Sequence, residues 1–305
     1  MSKYVGKARP KKLSKLCGRL LRTAIISRNL AYLILMLCVC VPRIAMSQTP
    51  SALQEWQYSS GITLQKLFEP DLPKWRVVLG AGAEVKPLYD GARPYRTQAG
   101  PVINILYRDV AFASVGEGLG VNFVRGANYR AGVAVGYDLG RRISDDLSHL
   151  RGLADIGRAP VVKLFGSYVI SKQIPLVLRA DVRKIVGGAD GLLGDLEAYL
   201  PLPGSSRKFV MFAGSSITFA DHHYSQRLFG ITTAEALASG YPVYDAHAGA
   251  NAVGLGFSAT GFITKHWLIN ADLALNHLLG SASNSPITQS TVQRVLALSV
   301  EYKWN

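Results

Sequence analysis

From Trp75 to Trp304 apolar residues recur at every second position in stretches of roughly ten, the period of a strand with one apolar face. The last stretch sets Leu296, Leu298, Val300, Tyr302 and Trp304 against Val295, Ala297, Ser299, Glu301 and Lys303. The first sets Trp75, Val77, Leu79, Ala81, Ala83 and Val85 against Arg76, Val78, Gly80, Gly82 and Glu84. Residues 176–183 and 267–276 repeat the pattern. Shorter versions fall near 131–139, 162–170, 194–200, 209–219 and 253–259. A soluble sandwich also alternates, but it rarely needs so many strands of this length. A strand crossing a bilayer needs about 9 to 11 residues, with lipid on one side and a polar lumen on the other. The pattern therefore predicts a closed antiparallel transmembrane β-barrel over residues 74–305.

The connections point the same way, because outer-membrane barrels join strands by tight periplasmic turns and longer outer loops. Short turn sequences fall at Arg108-Asp109, Gly126-Ala127-Asn128, Ser171-Lys172-Gln173, Pro203-Gly204-Ser205 and Thr264-Lys265. The outward connections are expected over 87–100, 140–160, 187–191, 221–250 and 277–290. This gives 12 strands if residues 110–125 hold two short ones turning near Glu117-Gly118, and ten if they do not. Trp75, Tyr107, Tyr137, Trp267 and Trp304 stand at strand ends, where interfacial aromatic girdles lie. Val300, Tyr302 and Trp304 also suit an assembly signal on the final strand, although Asn305 follows.

Charge enters the argument through its distribution. The chain carries 34 Lys+Arg and 20 Asp+Glu, a formal +14. Residues 1–47 hold ten of those cations and no carboxylate, so the rest holds 24 cations against 20 carboxylates, or +4. The basic excess thus belongs to a leader and gives no reason to expect nucleic acid as a partner. Residues 30–41 are an apolar run too short for a membrane-spanning helix and suited to a signal peptide, with Ala45-Met46-Ser47 as a cleavage region. The expected organisation is a signal peptide over 1–47, a periplasmic segment over 48–73 and the barrel beyond. Cys17, Cys38 and Cys40 all lie in the leader, so the body has neither disulfides nor thiolate chemistry.

Several strings resemble the MipA/OmpV family of outer-membrane proteins. They are Lys74-Trp75 leading to Leu79-Gly80-Ala81-Gly82, Pro87-Leu88-Tyr89-Asp90-Gly91, Gly140-Arg141-Arg142, Leu150-Arg151-Gly152-Leu153 with Asp155-Ile156, Tyr224, Phe229-Gly230-Ile231-Thr232, Ala238-Ser239-Gly240 and Ser285-Pro286-Ile287. No single string is specific; their order and spacing carry the likeness. The resemblance implies an outer-membrane barrel of a Gram-negative bacterium, set in outer-membrane lipid. For some members it implies a non-catalytic scaffold that holds a lytic murein transglycosylase near a bifunctional penicillin-binding protein. For others it implies permeation of small solutes or antibiotics, or adhesion through the outer loops. It transfers no contact residues.

A search for chemistry finds no HExxH, no Gly-x-Ser-x-Gly and no phosphate-binding glycine loop. His222-His223, beside Asp221, Tyr224 and Ser225, is the one tempting cluster. Adjacent histidines on an extended segment point in opposite directions, so the pair is read as part of a solvated loop. No catalytic, cofactor or metal site is assigned, and no enzyme is expected. The lumen charges are more informative. Alternation directs Arg76, Arg108, Arg130, Lys163, Arg179, Arg183 and Lys303 inward, with Glu84, Asp138, Asp181, Asp195, Glu197, Asp272 and Glu301 facing them. The chief candidates are Arg76, Glu84, Arg130, Asp138, Arg179, Asp181, Arg183, Asp272 and Glu301. Equal numbers of each sign favour a neutralised, filled interior over a selective pore. Ala252, Gly254, Gly256 and Ser258 leave room for a narrow channel. Two outer segments carry helix signals: 143–156, with Asp145 and Asp146 near its start, and 232–240, where Thr232 and Glu235 fit a capping box.

Overall fold

A computed structural model describes residues 73–206 and 208–304. The signal peptide expected over 1–47 and the periplasmic segment expected over 48–73 lie outside the described residues, apart from exposed Pro73. Twelve strands follow one another: β1 Trp75–Pro87, β2 Tyr95–Tyr107, β3 Ala111–Ser114, β4 Gly118–Arg125, β5 Tyr129–Asp138, β6 Ala159–Val169, β7 Val177–Ile185, β8 Leu192–Pro201, β9 Phe209–Ala220, β10 Gly249–Phe262, β11 Trp267–Leu278 and β12 Val292–Trp304. Each pairs antiparallel with its sequence neighbours, and β12 closes on β1 from Val77↔Trp304 to Val85↔Leu296. Closure removes the free edges that lipid could not hydrogen-bond.

The period of two becomes burial directly. Along β7 every odd-numbered residue from Val177 to Ile185 is buried and every even-numbered one is exposed. The outward set, which includes Leu164, Leu178, Val182, Leu196, Leu255, Leu298 and Val300, forms the apolar band. Aromatic pairs mark its inward end: Trp75 meets Tyr107 at 4.6 Å between ring centroids, and Tyr302 meets Trp267 at 5.1 Å and Trp304 at 4.4 Å. Tyr95 and Tyr137 stand exposed at the opposite end.

Residues 110–125 do hold two short strands, which fixes the strand number at 12. The turn between β2 and β3 is a tight one, with Arg108 and Asp109 at φ 50° and 54° and the Val110 amide donating to the Tyr107 carbonyl at 2.8 Å. Both central residues have positive φ, the twist that suits a two-residue hairpin.

Three expectations need correction. The loop expected over 87–100 spans only 88–94, because β1 and β2 stay paired as far as Pro87↔Tyr95. The polar residues there face the lumen and bind one another: Lys86 Nζ lies 2.5 Å from Glu84 Oε1, and Gln98 Nε2 donates to the same oxygen at 2.6 Å. The 143–156 segment is not one helix. It makes a 3-10 turn over Ile143–Asp145 and a single α turn, α1 (Leu147–Leu150), separated by Asp146 at φ −149°, ψ 82°. Finally, His222 and His223 are not extended; they open helix α2 (His222–Phe229), capped by the Asp221 carboxylate, which accepts from the Tyr224 amide at 2.8 Å. The Thr232–Glu235 capping box forms as the sequence suggests and starts α3 (Thr233–Ser239). A last short helix, α4 (Gly280–Asn284), lies between β11 and β12.

Candidate functional site

Two features distinguish this barrel from a plain tube: a charged lattice within it and a folded roof over one end. The lattice follows from side-chain alternation on β7, where Arg179, Asp181 and Arg183 share the inward face. Arg179 Nη1 lies 3.0 Å from Glu117 Oε1, its Nε is 3.9 Å from both Asp181 Oδ2 and Glu197 Oε1, and its guanidinium stands 5.0 Å from the centre of the Phe165 ring. Asp181 directly opposes Asp195 across the β7–β8 pair, which alone would be repulsive. Arg183 resolves this by straddling them, with Nε 3.4 Å from Asp181 Oδ1 and Nη2 hydrogen-bonded to Asp195 Oδ2. Thr218 Oγ1 donates to the other oxygen of Asp195 at 2.5 Å. Arg130, Lys163 and Glu197 are buried in the same wall.

The remaining candidates face inward elsewhere. Arg76 is half-buried opposite Leu106, and Glu84 belongs to the Lys86–Gln98 cluster. Asp138 accepts from the Gly140 amide at 2.7 Å at the outer rim. Asp272 accepts from Asn270 Nδ2 at 2.5 Å, and Glu301 from Ser299 Oγ at 2.6 Å. Arg108 does not join them: it is exposed in the β2–β3 turn, because the positive-φ hairpin takes it off the strand. Glu117 is the partner that sequence reasoning missed. It follows a four-residue strand, too short for alternation to register, yet it is buried against Arg179.

The roof is built where the long connections meet, at the end opposite the strand termini Trp75 and Trp304. Tyr89 and Ala92 from the β1–β2 connection pack with Leu150 and Leu153, Ile231, and Ile287 from the three other long connections. Polar contacts stitch the same loops together. Gln289 Nε2 donates to Tyr89 Oη at 2.7 Å and to Asp146 Oδ2 at 3.0 Å; Arg141 Nη1 donates to the Leu228 carbonyl at 2.7 Å; Ser285 Oγ donates to that of Phe229 at 2.6 Å. Glycines permit the closest approaches. Gly152 has φ +84°, and a Cβ there would fall 2.5 Å from the Ala238 carbonyl carbon. Glu235, held below the usual carboxylate range chiefly by hydrogen bonds from Thr232, also accepts from the Ala154 amide at 3.0 Å. These hydrogen bonds outweigh the opposing effect of its burial.

Beneath the roof, Tyr89, Asp90, Asp138, Arg141, Tyr224 and Phe229 line a cavity with about 20 Å³ of room for a water-sized sphere. That holds a water or two and no solute. Asp90, a solvent-exposed residue, also lines this space.

Comparison with known proteins gives a family match and several similar solved structures. A family model described as MltA-interacting protein MipA matches residues 79–304. Similar solved structures include the translocator domain of the autotransporter NalP from Neisseria meningitidis, at 13% identity and TM-score 0.42, covering 85% of this chain and 100% of that one. An outer membrane channel, COG4313, from Pseudomonas putida F1 has 6% identity and TM-score 0.37, with 77% and 97% coverage. OmpT of Vibrio cholerae has 8% identity and TM-score 0.36, with 77% and 99% coverage. A search of curated proteins finds no match. The family description names an interaction and no reaction. With a closed 12-strand barrel and a family match over most of its length, this chain is an outer-membrane β-barrel protein of a Gram-negative bacterium and belongs to the MltA-interacting protein MipA family.

Proposed function

We propose that this protein is a non-catalytic scaffold that holds a lytic murein transglycosylase, and through it a bifunctional penicillin-binding protein, at the inner face of the outer membrane. The observation that carries the reading is the charge of the end bearing the strand termini and short turns, the periplasmic end of such a barrel. Lys74, Arg108, Arg125, Lys172, Lys208 and Lys265 are all exposed there. Among the described residues no exposed carboxylate accompanies them. A single-sign collar steers a partner with an acidic face and orients it at encounter. The family description supplies the partner class. A neutralised, packed lattice under a closed roof supports a structural role and gives the channel alternative no support; nothing in the loops specifically favours an adhesin.

The test is binding of a purified lytic murein transglycosylase to the refolded, immobilised barrel at moderate salt, with an unrelated barrel as control. Specific retention that weakens at least about tenfold in a Lys172→Glu/Lys265→Glu variant, and falls steeply with salt, is the expected result. No retention by a barrel shown to be folded would overturn the scaffold reading. Retention indifferent to both charge reversal and salt would remove the collar from it.

A further inference from the structure

We propose that His222, Asp245 and His247 form a surface site for a borderline divalent transition cation of the zinc class, at the outer end of the barrel. One nitrogen from each histidine and one oxygen from Asp245 lie within 4.8 Å of one another. Two imidazoles and a carboxylate suit zinc, nickel or copper rather than calcium or magnesium. Bond lengths of about 2.0 to 2.2 Å put tetrahedral ligand atoms about 3.3 to 3.5 Å apart, so small side-chain rotations close the set around an ion. A solvent molecule would complete it.

Proximity of exposed groups alone is common; the backing of these three is what argues for a ligand. His222 Nδ1 lies 2.9 Å from the Ala246 carbonyl oxygen. A carbonyl only accepts, so Nδ1 holds the proton and Nε2 is left with its lone pair. That is the support zinc-binding histidines receive, with the remote nitrogen donating to a backbone oxygen. The other two ligands flank the same Ala246, both exposed on either side of that buried residue. Ala246 is fully buried with Phe229, Leu278 and Ala282, and its amide donates to Gln226 Oε1 at 2.7 Å. The His247 amide donates to Ser281 Oγ at 2.9 Å. The backbone is therefore fixed, while the side chains of Asp245 and His247 remain 68% and 73% exposed. The His222 and His247 rings lie near-parallel, 23° apart with centroids at 6.4 Å. The start of α2 is the positive end of a short helix dipole, but the Asp221 cap and Asp245 offset it. His223, the neighbour that a sequence reader would pair with His222, is not in the set.

Binding would clip the start of α2 to the segment before β10 and stiffen the roof. The probe is zinc chloride, titrated by calorimetry into the full folded chain, with the thermal midpoint as second readout. One saturable equivalent attributable to this cluster, with a raised midpoint, is expected. His247→Ala, which leaves the His222–Ala246 hydrogen bond intact, should weaken it at least about tenfold, and His223→Ala should not. Heat-modifiable electrophoretic migration confirms that each variant is folded. Absence of saturable zinc uptake, or uptake preserved in a folded His222→Ala/His247→Ala variant, overturns the proposal.

Discussion

Arg179→Ala is expected to lower the stability of the barrel by about 3 to 5 kcal/mol, the usual result of removing one partner from a buried ion network. The side chain of Arg179 is fully enclosed, and Glu117, Asp181 and Glu197 all face it with almost no exposure. Without the guanidinium Glu117 and Glu197 lose this ion pair in a buried setting while Asp181 keeps Arg183, and the Phe165 ring loses the nearer of its two cations, Arg130 remaining at 6.0 Å. The loss comes from stranded charge, not from the intrinsic strength of the pairs. Removing charge from both sides should therefore restore part of it, so Arg179→Met/Glu197→Gln is expected to be more stable than Arg179→Met alone. Urea unfolding in lipid vesicles, followed by tryptophan fluorescence, measures all three. A loss below about 1 kcal/mol for Arg179→Ala would mean that water reaches the lattice, and the interior could no longer be regarded as packed.

The barrel was legible in the sequence because the property that builds it is local. Alternation is written residue by residue along Leu296 to Trp304, and the same alternation decides which side meets lipid. Tight turns are local as well, as at Arg108-Asp109. Legibility ended where polar residues lined up on a strand. Arg96 and Gln98 read as loop because they are hydrophilic, yet their hydrophilic face is the lumen face they share with Glu84 and Lys86, and the hairpin runs on through them. Glu117 was lost for a related reason, since four residues of β3 carry too little pattern to set a face.

The candidate metal cluster was legible only in its wrong half. His222-His223 caught attention through adjacency, whereas the partner that matters is 25 positions away in His247. The roof shows the same limit on a larger scale, for its contacts join segments separated by most of the barrel: Tyr89 bonds to the Ile287 carbonyl across 198 positions and Gln289 to Tyr89 across 200. No local period encodes such pairs. They follow from closure, which brings β1 and β12 together and sets their loops side by side.

The roof is consequently where a single substitution should separate stability of the loops from stability of the strands. Tyr89→Ala removes an almost fully buried ring from the apolar cluster with Leu150, Leu153, Ile231 and Ile287, together with the hydroxyl that binds Gln289. Truncating a buried aromatic to alanine typically costs about 3 to 5 kcal/mol, and here the void would open onto a polar cavity beside Asp90 and Arg141. The strand pairing of β1 with β2 and β12 is untouched, because Tyr89 lies beyond the last paired residue, Pro87. The barrel should therefore still fold and migrate as a heat-modifiable species, while the loops over 139–158 and 221–248 become susceptible to a protease that spares the parent. In a planar bilayer the variant should conduct more than the parent only if the roof is the principal barrier; unchanged conductance with open loops would assign closure to the Arg179–Arg183 lattice below. Tyr89→Phe keeps the ring and loses only the hydroxyl, and should cost about 1 kcal/mol with the loops still protected. Protease sensitivity as great in Tyr89→Phe as in Tyr89→Ala would show that hydrogen bonding, and not apolar packing, holds the roof.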